Sequence, residues 1–265
     1  MRSSRLCAFL FLGFPALFCA GGGPALAEAG NACSESRIEF DTGTLEKIVR
    51  EPEAVLADEE SFWEDEEAQR YTRAWADNVG VRISYRKWRG QVAALAEQDP
   101  SERRDSPLLR MTESIIAMEE RFGREAIPLV CSYLPEGAEL DIPVHFTAFV
   151  PPRSFVMGGV VINVSAPYWK GNTDNILNNL AHELFHVGYS RRRPHRTEAP
   201  LHNEQLYGML DSLQNEGTAT WVGFQAAPDF PAPDELDYGM LESPGEVTRL
   251  LAELNGLFAR VGRVS

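Results

Sequence analysis

The sequence predicts an α+β fold, mostly helical with one small β-sheet, and three observations carry that expectation. Apolar residues recur at helical spacing from Thr42 to about Phe122. The spacing then drops to alternation between Val144 and Ser165, and it returns to the helical period beyond Gly171.

The chain has 265 residues, and the first 27 read as an export leader. Arg2 and Arg5 supply a positive start, Leu6 to Ala20 an apolar stretch, and Ala25-Leu26-Ala27 a small-residue cleavage site. A lipid anchor at Cys19 is the weaker alternative, because Phe18 stands where a lipobox wants a small residue. Export to a periplasmic or extracellular space is therefore expected, with cleavage near Ala27. No later run reaches the roughly 20 apolar residues that a bilayer span requires. Cys7 and Cys19 leave with the leader, and the remaining pair, Cys33 and Cys131, is expected to form a disulfide in an oxidising compartment. The formal charge is −14, and more negative once the leader is gone, which argues against nucleic acid or an anionic membrane as partner.

Residues 28–140 read as an N-terminal helical region. Leu45, Ile48 and Val49, then Leu108, Met111, Ile115, Met118 and Phe122, lie at core-facing spacing. The acidic run from Asp58 to Glu67 is read as a solvated helix face rather than a cation site. Residues 141–265 read as a catalytic core. Val144, Phe146, Ala148 and Val150 alternate with His145, Thr147 and Phe149; Val160, Ile162 and Val164 alternate likewise, and the two strands are expected to pair as a long-looped hairpin. Asn172 or Thr173 caps a helix running to about Gly188, with Leu177, Leu180, Leu184 and Val187 as its apolar stripe. A second helix spans about Asn203 to Phe224. A third, with Val247, Leu250, Leu251, Leu254 and Val261, follows.

The strongest chemical signal is His182-Glu183-Leu184-Phe185-His186. Residues four apart on a helix share a face about 6 Å apart, so two imidazoles there can converge on one ion at about 2.1 Å. Glu183 points beside them, placed to take a proton from a water that zinc acidifies toward a pKa of about 7. A third ligand is required, and His195, His202, Glu204 and Glu216 are the candidates. Glu216 falls on the stripe of Leu206, Met209, Leu213 and Thr220, whereas Glu204 shares a polar face with Gly208, Asp211 and Asn215. A carboxylate on a core-facing stripe is costly without a partner, and a divalent metal is an effective one, which selects Glu216. The expected cofactor is one zinc ion held by His182, His186 and Glu216, with Glu183 as general base.

His182-Glu-Leu-Phe-His186 followed by Asn215-Glu216-Gly217-Thr218-Ala219 resembles the glutamate-ligand zincins, the gluzincin group, and in particular bacterial families of zinc-dependent peptidases whose substrates are not settled. The resemblance covers about Pro143 to Phe224. It implies a zincin-like fold with the sheet beside the two-histidine helix, a peptide or protein substrate, and a strand around Val160 to Ser165 serving as the edge onto which a peptide adds. The chain departs from the thermolysin pattern at Thr220, where an acidic residue that orients a ligand histidine is usual, and in the longer gap between His186 and Glu216. Tyr168, Tyr189, Tyr207, Tyr238 and His202 remain open as the group that stabilises an oxyanion. The cluster Arg191-Arg192-Arg193 is read as complementing the carboxyl end of the metal-binding helix. Two other functions share the motif: an exported non-catalytic zinc module, closed by His195 or His202 as fourth ligand, and a zinc hydrolase of non-peptide amides. Oligomeric state is not encoded in any feature found.

Overall fold

Short capping side chains and prolines start the helices of the N-terminal half. The computed structural model describes residues 33, 36–134, 137–169, 171–192 and 204–227, with short stretches between 245 and 256. Strand β1 (Ile38–Asp41) leads into α1 (Gly43–Arg50), α2 (Pro52–Ala57), α3 (Glu59–Asp65), α4 (Glu67–Val79), α5 (Tyr85–Ala96), α6 (Pro100–Arg104) and α7 (Pro107–Arg121). A π-helical turn at Phe122–Ala126 then joins α8 (Ile127–Ser132). Asp58, Ser84 and Ser106 accept hydrogen bonds from the backbone N–H groups of Ser61, Lys87 and Leu109, donors that have no partner within their own first turn. Pro52, Pro100 and Pro107 sit in first turns, where the missing N–H costs nothing. Gly80 ends α4 in the left-handed region at φ 69°. Leu45, Ile48, Val49, Met111, Ile115, Met118 and Phe122 are buried, as their spacing anticipates, whereas Leu108 is only half-buried and Leu109 beside it is the buried residue. Trp63 and Trp88 meet edge to face at 5.2 Å, joining α3 to α5.

The sheet contains four strands in the order β1-β2-β4-β3, with β2 at Ile142–Thr147, β3 at Ser154–Met157 and β4 at Gly159–Asn163. β1 runs parallel to β2 and β2 parallel to β4, with Val144 opposite Val160; β3 is antiparallel to β4. The expected hairpin between the Val144 and Val160 strands is therefore wrong. The short strand β3 intervenes and turns at Gly158 (φ 69°), so the chain reverses twice and β4 runs the same way as β2. The expected edge is also displaced. β4 has neighbours on both sides and is buried at all five positions, whereas β3 and β1 are the two outer strands. α4 packs across β2, β3 and β4, with Ala68, Tyr71 and Trp75 against Phe155 and Val161. Phe40, Phe122 and Phe146 form an aromatic cluster, with centroids 5.1 Å and 5.7 Å apart.

Helices α9 (Thr173–Arg192) and α10 (Glu204–Ala226) follow a 3-10 turn at Pro167–Trp169. Asn172 caps α9 by accepting from Asp174 N–H at 2.9 Å, and Leu177, Leu180, Leu184 and Val187 are buried. Arg191 donates to the backbone carbonyls of Glu139 and Asp141, both at 3.1 Å. This arginine thus ties α9 to the segment entering β2.

The result is a mostly helical α+β fold with a small mixed sheet. Its backbone divides into two units, one of Asn31–Arg191 with Val222–Phe230 and one that includes Arg192–Trp221. In the first, Cys33 and Cys131 form a disulfide across 98 positions, which on the chain-entropy model stabilises by about 4–5 kcal/mol. The expected leader and the basic positions after Arg192 lie outside the described residues. So does much of the expected third helix, of which 248–250 and 252–254 are described and helical. No described helix is long and apolar enough to cross a membrane.

Candidate metal centre and active site

The helical period brings His182 and His186 together on α9, as the sequence predicts. Their rings meet edge to face with centroids 4.6 Å apart, and the two Nε2 atoms approach to 3.0 Å. Two ligand atoms on a tetrahedral zinc at about 2.0–2.1 Å are separated by about 3.3 Å. Both imidazoles are half-buried. The flanking residues Ala181, Leu184, Phe185 and Val187 are buried and fix the helix beneath them, so the donor set fits a zinc ion.

Glu183 is half-buried, and its Oε1 accepts a hydrogen bond from Ser154 Oγ at 2.8 Å. Ser154 opens the outer strand β3, so the proposed base is tied to the sheet's edge. Nothing in the spacing of the sequence marks this serine, because its partner is 29 positions away. Next to it, Arg153 lies over the ring of Tyr168, 4.1 Å from the centroid, which brings one of the five oxyanion candidates to the same end of β3. Tyr189 stacks on Phe185 at 5.8 Å. His195, His202 and Tyr238 lie outside the described residues, as does the side chain of Tyr207.

Ligand-type side chains gather in two candidate groups among the described residues. One holds the α9 histidine pair, and the other is Asp41, Glu67 and His145. Glu216 is half-buried on α10, within the unit that includes Arg192–Trp221. The same helix continues past Trp221 into the unit that carries α9, where Gly223 lies directly against it. A Cβ on Gly223 would come within 2.7 Å of the carbonyl oxygen of Asn178.

Residues 105–248, more than half of the chain, match the family described as "Putative zinc dependent peptidase (DUF5700)". The chain belongs to that family. The match spans the histidine pair, Glu183 and Glu216, and it begins just before α7. Zinc and peptide hydrolysis, named in the family's description, agree with what the α9 histidines and the adjacent carboxylate can do chemically. No curated protein and no solved structure matches the chain.

Proposed function

We propose that this family member is an exported peptidase that holds one zinc ion through His182, His186 and Glu216 and uses Glu183 as general base. The observation that carries the reading is the convergence of two imidazole Nε2 atoms, 3.0 Å apart, beside a carboxylate fixed by Ser154. When bound there, zinc supplies a Lewis acid that polarises the scissile carbonyl and acidifies the attacking water.

The chain's own groups do the rest. Ser154 donates to Oε1 of Glu183, which fixes the carboxylate's rotation and leaves Oε2 to take a proton from the attacking water. Glu183 then returns that proton to the leaving amine nitrogen, and the peptide bond breaks. β3, with Val156 exposed, offers the sheet edge on which an extended peptide can add as a strand.

The sequence pattern supports Glu216 as the third ligand: it falls on the stripe of Leu206, Met209, Leu213 and Thr220, where a carboxylate is costly without a positively charged partner. The disulfide between Cys33 and Cys131 supports an oxidising destination, and hence export.

The deciding experiment is digestion of a peptide library by the purified protein with and without chelator, alongside Glu183→Gln with its zinc content measured. We expect the variant to keep its zinc and lose about 10²–10⁴-fold in rate. Hydrolysis at the wild-type rate in Glu183→Gln rejects the mechanism.

A further inference from the structure

A histidine with carboxylate neighbours also lies in the sheet, on an element other than the helix that carries His182 and His186. His145, on β2, is 1 % exposed. Its Nδ1 is 2.8 Å from Asp41 Oδ2 at the end of β1, while Asp41 Oδ1 accepts from Gly43 N–H at 3.0 Å, so both oxygens of Asp41 are engaged. With Asp41 facing Nδ1, Nε2 is the ring nitrogen left to meet a proton or a metal ion. That Nε2 is buried without a hydrogen-bond partner and faces Glu67 Oε2, at the start of α4, across 3.7 Å.

Either a proton or a metal ion can bridge a ring nitrogen and a carboxylate oxygen opposed in this way. A proton would draw them into a charge-assisted hydrogen bond of about 2.7–2.9 Å. Two ligand atoms at about 2.0–2.1 Å from one ion are instead about 3.3–3.7 Å apart as the angle opens from tetrahedral to about 130°. The observed 3.7 Å fits the ion. The absence of a side chain at Gly159 keeps this face of the ring clear, since a Cβ there would lie 2.8 Å from His145 Cδ2, 3.0 Å from Nε2 and 2.9 Å from the carbonyl oxygen of Pro143. Ligand atoms of Asp41, Glu67 and His145 all lie within 4.8 Å of one another. Glu67 is about half exposed, so the ion has a path from solvent and water can complete its shell.

We propose that Asp41, Glu67 and His145 form a second divalent transition-metal site. His145 Nε2 and the Glu67 carboxylate are the ligands, and Asp41 orients the imidazole through Nδ1–H. An imidazole donor selects zinc, cobalt or nickel over magnesium or calcium. The ion clamps β1, β2 and the first turn of α4, three segments far apart in the chain. The acidic run read as a solvated face thus contributes one ligand.

The test uses the purified protein carrying His182→Ala and His186→Ala, titrated calorimetrically with Zn²⁺ and Co²⁺ and melted with and without zinc. One ion per chain and a higher Tm with zinc are expected. Adding Glu67→Gln, which keeps the shape of an exposed side chain, should weaken zinc at least about tenfold and remove the Tm rise. Asp41→Asn should weaken it by about 10–100-fold. Circular dichroism checks that each variant is folded, and Glu67→Gln carries the decision if Asp41→Asn is not. No ion in the double-histidine variant, or zinc affinity unchanged within twofold by Glu67→Gln, overturns the proposal; so does an Nε2 found protonated by NMR in the presence of zinc.

Discussion

The two histidine groups use the same residue types under opposite physical conditions. His182 and His186 stand half-buried on one face of α9, held by a helix that would form without them. His145 is sealed between β2 and α4, and its partners come from β1 and the first turn of α4. A site displayed on a continuous helix can lose its side chains and keep its scaffold. A buried group that pins three elements together takes the scaffold with it. The proposed roles follow the same division, chemistry at the first group and cohesion at the second.

The largest expected effects would break or confirm that contrast directly. His182→Ala or His186→Ala should remove zinc-dependent hydrolysis while leaving the Tm of the metal-free protein nearly unchanged. His145→Ala should instead cost about 2–3 kcal/mol in urea unfolding, because it empties the space of a side chain that is 1 % exposed. Equal Tm losses in the two cases would erase the distinction.

A smaller effect sharpens it. Gly159→Ala forces a methyl group against His145 and the backbone carbonyl of Pro143, and about 1–3 kcal/mol of stability should be lost in the same assay. At the other group, Ser154→Ala should lower kcat about tenfold with zinc content and Tm unchanged, since its hydrogen bond holds Glu183, the proposed base, in place. An unchanged kcat would mean that Glu183 is oriented by other means.

The smallest effect provides a baseline remote from both groups. The Arg103 guanidinium, hydrogen-bonded to Glu53, holds that carboxyl below its usual 4.5. The unfolded chain therefore takes up this proton first as pH falls, and the pair's contribution is lost on acidification through the folded value. Glu53→Gln should make stability slightly less sensitive to acid in that window, with no change near neutrality in the zinc dependence of either histidine group.

Elements with a local cause were legible in the order of residues along the chain. Periodicity and capping located α9 and α10 and the helical N-terminal half, and a spacing of four along one helix was enough to bring His182 and His186 together. The same spacing put Glu183 beside them. Features that depend on pairing across distance emerged only from the folded chain. A strand of four residues, β3, carries too little alternation to stand out, yet it reverses the chain, makes β2 and β4 parallel and takes the edge position from β4. β1 was equally hidden beside helical neighbours, although it sets Asp41 opposite His145 in register. Ser154 reaches Glu183, and Glu67 faces His145, only because the sheet brings together residues 29 and 78 positions apart. A helix repeats its geometry every few residues and so leaves a mark in the sequence. A contact between sheet and helix depends on register and crossing, which no window of neighbouring residues contains.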